Sequence, residues 1–181
     1  LIAGGNLGHD FYYPFTLVSE KGFHLLSVQD DFVAKDKPNI YQKIIYFEKT
    51  NGSWEKELIV DLSKHPLAHS RPTLSTQSDF FEDGQGKVHI VYKEFVDSKN
   101  EYRVLNFKHL IRRRNGWESK LIELGRDDIN WVRLLEVNGN IYYLATSNSE
   151  VFLGLSNSKT LTRLPLKIGI SGIYPYVAAQ R

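Results

Sequence analysis

Four residues at corresponding places along the chain carry side chains suited to sugar chemistry: Tyr13, Arg71, Trp131 and Tyr174. Shortly before them lie His9, Asp10 and Tyr12, then His69, then Asp128 and Asn130. Gathered in one place, these types divide the work of a β-elimination on an acidic polysaccharide. Arg71 can hold a sugar carboxylate through paired N–H donors. His9 or His69 titrates near neutrality and can remove the proton next to that neutralised carboxylate. Tyr12, Tyr13 or Tyr174 can donate to the leaving oxygen or act as the base. Trp131 can stack on a pyranose face, with Tyr12, Asn130 and Asp10 as further substrate contacts. Each residue also has a plain structural role open to it: Tyr13 and Trp131 as packing aromatics, Arg71 as the partner of an aspartate, His9 as a loop histidine.

Other candidates carry less. His24 and His89 each follow a glycine in corresponding strands, and that equivalence points to packing. His65 precedes Pro66 in a connecting loop, and His109 lies on a long strand. No pair shows the His-x-x-x-His spacing of a helical zinc site, so no metal and no cofactor is expected. A glycosidase needs two carboxylates roughly 5 to 9.5 Å apart. Asp10, Asp79, Glu82, Asp83, Asp127 and Asp128 are the available acids, and residues 79–83 read as an acidic loop, either a plain turn or a lip. Gly84-Gln85-Gly86 is too short for a phosphate loop, and no Gly-x-Ser-x-Gly elbow occurs.

The elements that must position these residues repeat along the chain. Gly22 and Gly86 are 64 residues apart, as are Gly52 and Gly116, while Pro14 and Pro72 are 58 apart. A weaker third copy runs from Trp131 through Gly139-Asn140-Ile141-Tyr142-Tyr143, and a fourth opens at Tyr174-Pro175. Each copy reads as short β-branched or aromatic segments bounded by Gly, Asn, Asp and Ser. The predicted strands are 11–18, 22–29, 40–48 and 54–62; then 72–76, 87–95, 102–112 and 117–124; then 131–137, 140–147, 150–156 and 161–167. No window keeps a helical period with caps. Four antiparallel strands per repeat make an all-β fold of β-propeller blades. The expected blades are 9–65, 66–126 and 127–170, with 171–181 opening another, in one partial propeller domain. Propellers have typically ~4–8 blades, so the rest of the ring is expected in a longer parent chain or a second chain. In a propeller the innermost strands start at one mouth of the central channel, which is what would gather the Tyr13, Arg71, Trp131 and Tyr174 positions.

Composition narrows the partners. The 23 basic and 21 acidic residues give a net charge of +2, so nothing in the total points to nucleic acid. Arg112-Arg113-Arg114 is the one basic run, placed at a hairpin end. Aromatic residues make up 13% of the chain, which favours half-buried pleated surfaces. There is no cysteine, which excludes disulfides, thiol nucleophiles and Cys-based metal sites. No apolar run approaches the ~20 residues of a membrane helix, so no membrane partner is expected. With no methionine and no leader visible, the chain is expected to be processed or excised from a longer one. An extracellular or periplasmic location is expected with it.

The pattern of proline, hydrophobic strand, Gly-x-(x)-His and an Asn-Gly-(Ser)-Trp hairpin resembles the sialidase-type BNR-repeat propellers. Its fullest copy is Pro72-Thr73-Leu74, Gly86-Lys87-Val88-His89-Ile90-Val91-Tyr92 and Asn115-Gly116-Trp117. The Asp-box Ser-x-Asp-x-Gly-x-Thr-Trp is not intact: counting back from Trp54, Ser53, Asn51, Lys49 and Phe47 stand in its places. The resemblance implies a glycan partner, with polysaccharide lyase, glycoside hydrolase and lectin-like binding among the activities of such propellers. A protein-interaction scaffold is the remaining alternative.

Overall fold

The computed structural model describes residues 11–19, 22–31, 40–62, 73–74, 78–98 and 101–165. Their regular structure is entirely β, arranged as three antiparallel sheets. The first contains β1 (Phe11–Ser19), β2 (Gly22–Asp31), β3 (Ile40–Thr50) and β4 (Ser53–Asp61), side by side in chain order. The second contains β5 (Thr73–Leu74), β6 (Asp79–Glu82), β7 (Val88–Ser98), β8 (Glu101–Arg113) and β9 (Gly116–Leu121), ordered β5-β7-β8-β9 with β6 also paired to β7. The third contains β10 (Trp131–Val137), β11 (Asn140–Thr146), β12 (Val151–Leu155) and β13 (Thr162–Arg163), again in chain order. Up-and-down sheets of this kind are the blade unit expected from the repeats.

Two tight hairpins follow directly from Asn-Gly pairs. Asn51 and Gly52 have φ of 52° and 84°, and Asn138 and Gly139 have 50° and 75°. Both central residues then lie in the left-handed region that a two-residue hairpin with the strands' own twist requires. The third such site differs. Arg113 pairs with Gly116, so the turn is Arg114-Asn115, and Gly116, at φ 123°, is already the first residue of β9. Arg113 Nε donates to Glu118 Oε2 at 2.7 Å across that hairpin, while Arg112 lies over the Trp117 ring at 5.2 Å.

Residues 79–83 do not form the loop that their acids suggested. Asp79–Glu82 is strand β6, because Phe80 and Phe81 alternate between its two faces and each finds aromatic packing. Phe80 meets His24 and Tyr46 edge-on with centroids 6.5 and 6.3 Å apart, and Phe81 stacks on His89 at 5.1 Å.

The chain forms two compact units. Unit 1 comprises 1–80 and 94–105; unit 2 comprises 81–93 and 106–181. In unit 1 the core is Leu26, Val28, Ile44, Ile45, Tyr46 and Phe47 on the central strands β2 and β3, closed by Val60, Leu74 and Val96. Strand β3 is buried on both faces over residues 44–47, while β4 at the sheet edge is mostly exposed or half-buried. In unit 2 the core joins Ile90, Val91 and Tyr92 of β7, Phe107, Leu110 and Ile111 of β8, and Val132, Leu134, Tyr143, Ala145 and Phe152 of the third sheet. Aliphatic and aromatic side chains buried this way contribute roughly 1.5–3 kcal/mol each.

Candidate functional site

Strand β10 begins at Trp131, whose backbone pairs with Thr146 on β11. Just before it, the Asn130 amide N–H donates to the Thr146 carbonyl at 2.8 Å, which extends the ladder by one step. The Asn130 side chain donates through Nδ2 to Asn148 Oδ1 at 2.7 Å, tying the start of β10 to the loop between β11 and β12. Trp131 and Asn130 are both half-buried, so each keeps some access to solvent.

Lys93 on β7 completes this cluster. Its ammonium lies 3.9 Å from the centre of the Trp131 ring and donates to the Asn130 carbonyl oxygen at 3.2 Å. The residue is only 4% exposed. Burial disfavours the charged form, and its pKa falls from 10.5 to about 8. At neutral pH the cluster therefore sets a half-buried indole and a side-chain amide over a buried cation, which acts on its surroundings through its field. The ring and the amide suit a sugar carrying hydroxyls.

Lys93 is the residue that sequence reasoning missed. Alternation along β7 places it with His89 and Val91, opposite Val88, Ile90 and Tyr92. Residues 88–94 are buried throughout, so both faces of this strand are core and the lysine cannot extend into open solvent. The available signal was slight: of the two other side chains on its face, only Val91 is apolar, and His89 is polar.

The other nominated residues are distributed as follows. Tyr12 and Tyr13 lie in β1, where the register shifts between Tyr12 and Phe15. Pro14, which has no N–H to offer a ladder, falls within that irregularity. His9, Asp10, His69, Arg71 and Tyr174 lie outside the described residues. Asn130 and Trp131 are neighbours in the chain already; what the fold adds to them is Lys93 from β7.

Two carboxylates on this sheet's flanks, Asp128 and Glu150, pair with basic side chains. Asp128 accepts from Arg126 Nε at 2.8 Å and from its Nη2 at 2.7 Å, and these hydrogen bonds hold its pKa below the usual carboxylate range. Glu150 receives Arg126 at 3.3 Å and Arg163 at 2.9 Å. Among the described residues no group of three or more His, Cys, Asp or Glu is placed to hold a metal ion, and no helix is long and apolar enough to cross a membrane.

The two repeat-related histidines are core residues. His24 Nδ1 is 2.7 Å from the Tyr46 hydroxyl in unit 1, and His89 Nδ1 is 2.8 Å from His109 Nε2 in unit 2.

No protein-family model and no curated protein matches the sequence. Among solved structures the chain is similar to an alpha-L-arabinanase of Penicillium chrysogenum complexed with arabinobiose. The TM-score is 0.51 at 15% identity, over 87% of this chain and 46% of the arabinanase. The chain thus spans about half the length of that protein. The likeness is one of fold: the described sheets are blades of the β-propeller type.

Proposed function

We propose that this chain is the carbohydrate-engaging part of a propeller and takes an acidic polysaccharide at the Trp131–Asn130–Lys93 cluster. The observation that carries the reading is the buried Lys93 ammonium 3.9 Å from the Trp131 ring. It sets a positive charge beside an aromatic face, where a uronate would set its carboxylate beside its ring. The arabinanase likeness supports a glycan over other ligand classes, and the BNR-like repeats agree with it. An extracellular or periplasmic location belongs to the same proposal.

Turnover on such a ligand, by a lyase or glycoside hydrolase route, rests on His9, His69, Arg71, Tyr13 and Tyr174. A non-catalytic, lectin-like reading has its own support in the pairing of Asp128 and Glu150 with arginines, which leaves those acids poorly suited to proton transfer. One experiment separates the readings. The chain is incubated with uronate-containing polymers and with neutral arabinan, while near-ultraviolet absorbance, reducing ends and binding are followed. Binding to the uronates without products selects the lectin. Products that disappear in His9→Ala or His69→Ala, with binding retained, select the enzyme. Failure to bind any polymer, or binding unaffected by Trp131→Ala, overturns the glycan reading.

A further inference from the structure

Four polar side chains form a continuous line through the core of unit 2. The Tyr143 hydroxyl is 3.0 Å from His109 Nδ1, His109 Nε2 is 2.8 Å from His89 Nδ1, and His89 Nε2 is 3.0 Å from Asp83 Oδ2. They come from β11, β8, β7 and the turn between β6 and β7. His109, His89 and Tyr143 are 1%, 3% and 3% exposed.

The acid at one end sets the direction of every bond. Burial opposes the Asp83 charge, but amide N–H donation from Lys87 and the bond to His89 outweigh it, and its pKa lies below 3.8. The Lys87 and Gln85 amides donate to its Oδ1 at 2.7 and 2.9 Å. An ionised carboxylate only accepts. His89 must therefore donate from Nε2, which leaves Nδ1 of the neutral ring to accept from His109 Nε2–H. His109 Nδ1 is then an acceptor as well, and Tyr143 donates to it. At neutral pH each donor in the line faces an acceptor.

The same geometry can take one more proton, but not two. With both rings charged, N–H would face N–H across the 2.8 Å between His89 and His109. With one, the line can reverse. We propose that Asp83, His89, His109 and Tyr143 form a buried site for a single proton, a two-state device whose loading reverses the two hydrogen bonds between His89 and Tyr143. In the loaded state the proton on His109 Nε2 has moved to His89 Nδ1, and the proton taken from solvent sits on His109 Nδ1. The net charge is on His89, and the Tyr143 oxygen has become an acceptor.

The surroundings place the charge on His89. That ring touches Asp83, is in the field of Glu136 and Lys87, and stacks on Phe81. Burial, its neighbour His89 and the cations Lys120 and Arg113 push His109 down to about 3. Transfer of the Tyr143 proton along the line to Asp83 is not the device, since burial pushes the phenol up to about 12. Loading does release the Tyr143 hydroxyl hydrogen from His109. Tyr143 is also among the residues lining a crevice of about 140 Å³ with Ser156, Asn157 and Ser158.

The test is long-range ¹H–¹⁵N NMR of the ¹⁵N-histidine-labelled chain between pH 8 and 4. At pH 8 both His89 and His109 should be neutral with the hydrogen on Nε2. On acidification, one step with a midpoint below the ordinary ~6.5 should protonate His89 and convert His109 to the Nδ1–H tautomer together. Tyr143→Phe removes the His109–Tyr143 hydrogen bond from both states, so the single coupled step should survive it. Two independent protonations, a His109 tautomer that stays fixed, or a line reversed already at pH 8 overturns the proposal.

Discussion

The ammonium of Lys93 is held between the Trp131 ring at 3.9 Å and the Asn130 carbonyl at 3.2 Å. With its pKa lowered by burial to about 8, most of its charge is lost between pH 7 and pH 9. If that charge holds a carboxylate, affinity for a uronate polymer should fall about tenfold across this window, following the protonated fraction. Affinity for a neutral glycan should stay level. Calorimetric titrations at both pH values check this, and equal pH profiles for the two ligands would remove Lys93 as the recognition charge.

Acid should weaken the fold through the buried histidines. His89 and His109 both have pKa values lowered by burial, His109 to about 3. The unfolded chain, titrating near ~6.5, takes up these protons first as pH falls. Stability from these groups is therefore complete above ~6.5 and is lost on going below it. His109 alone accounts for about 2 kcal/mol by pH 5. Urea unfolding at pH 7.5 and pH 5 measures the difference, and equal stabilities at the two values would contradict it.

In unit 1 the Tyr46 hydroxyl lies 2.7 Å from His24 Nδ1, with Tyr46 2% and His24 4% exposed. Tyr46→Phe keeps the ring that Phe80 packs against and removes only the oxygen. The expected cost is about 1–2 kcal/mol, that of a buried hydrogen bond whose other partner stays behind. A double-mutant cycle with His24 replaced should recover most of this as coupling. Additive effects would show that the two side chains do not act as a pair.

Two glycines of the third sheet should respond differently to alanine. A Cβ on Gly139 meets nothing within 4 Å, so only the positive φ of 75° is penalised, at roughly 1 kcal/mol. A Cβ on Gly154 would lie 2.6 Å from the Thr160 carbonyl oxygen and 2.8 Å from Leu161 Cδ2. Backbone must move there, and a cost of about 1–3 kcal/mol or more follows. Thermal unfolding of both variants ranks them, and a Gly154→Ala protein as stable as Gly139→Ala would mean that the segment over Gly154 yields freely.

Local chemistry made most strands readable. Strand β10 is found at Trp131–Val137, as predicted, because β-branched and aliphatic residues alternate up to an Asn-Gly turn. Strand β6 was hidden because Asp79, Glu82 and Asp83 mark a turn when read one by one, and only packing on His24, Tyr46 and His89 shows what Phe80 and Phe81 do. Trp131 and Asn130 were nominated from their place in the repeat. Lys93 and Tyr143 were not, since each owes its chemistry to a strand far away in sequence. Lys93 takes it from β10, and Tyr143 takes it from β8 and β7. Repeats report the blade that recurs; they do not report which unlike side chains from different blades meet.

The chain passes from unit 1 to unit 2 at residues 80–81, returns at 93–94 and crosses again at 105–106. Strands β7 and β8 are each divided between the two units. No single cut can separate the units, because wherever the break falls at least one product holds pieces of both. Protease mapping should then give nicked chains that remain associated, and gene fusions should join at the sheet hairpins.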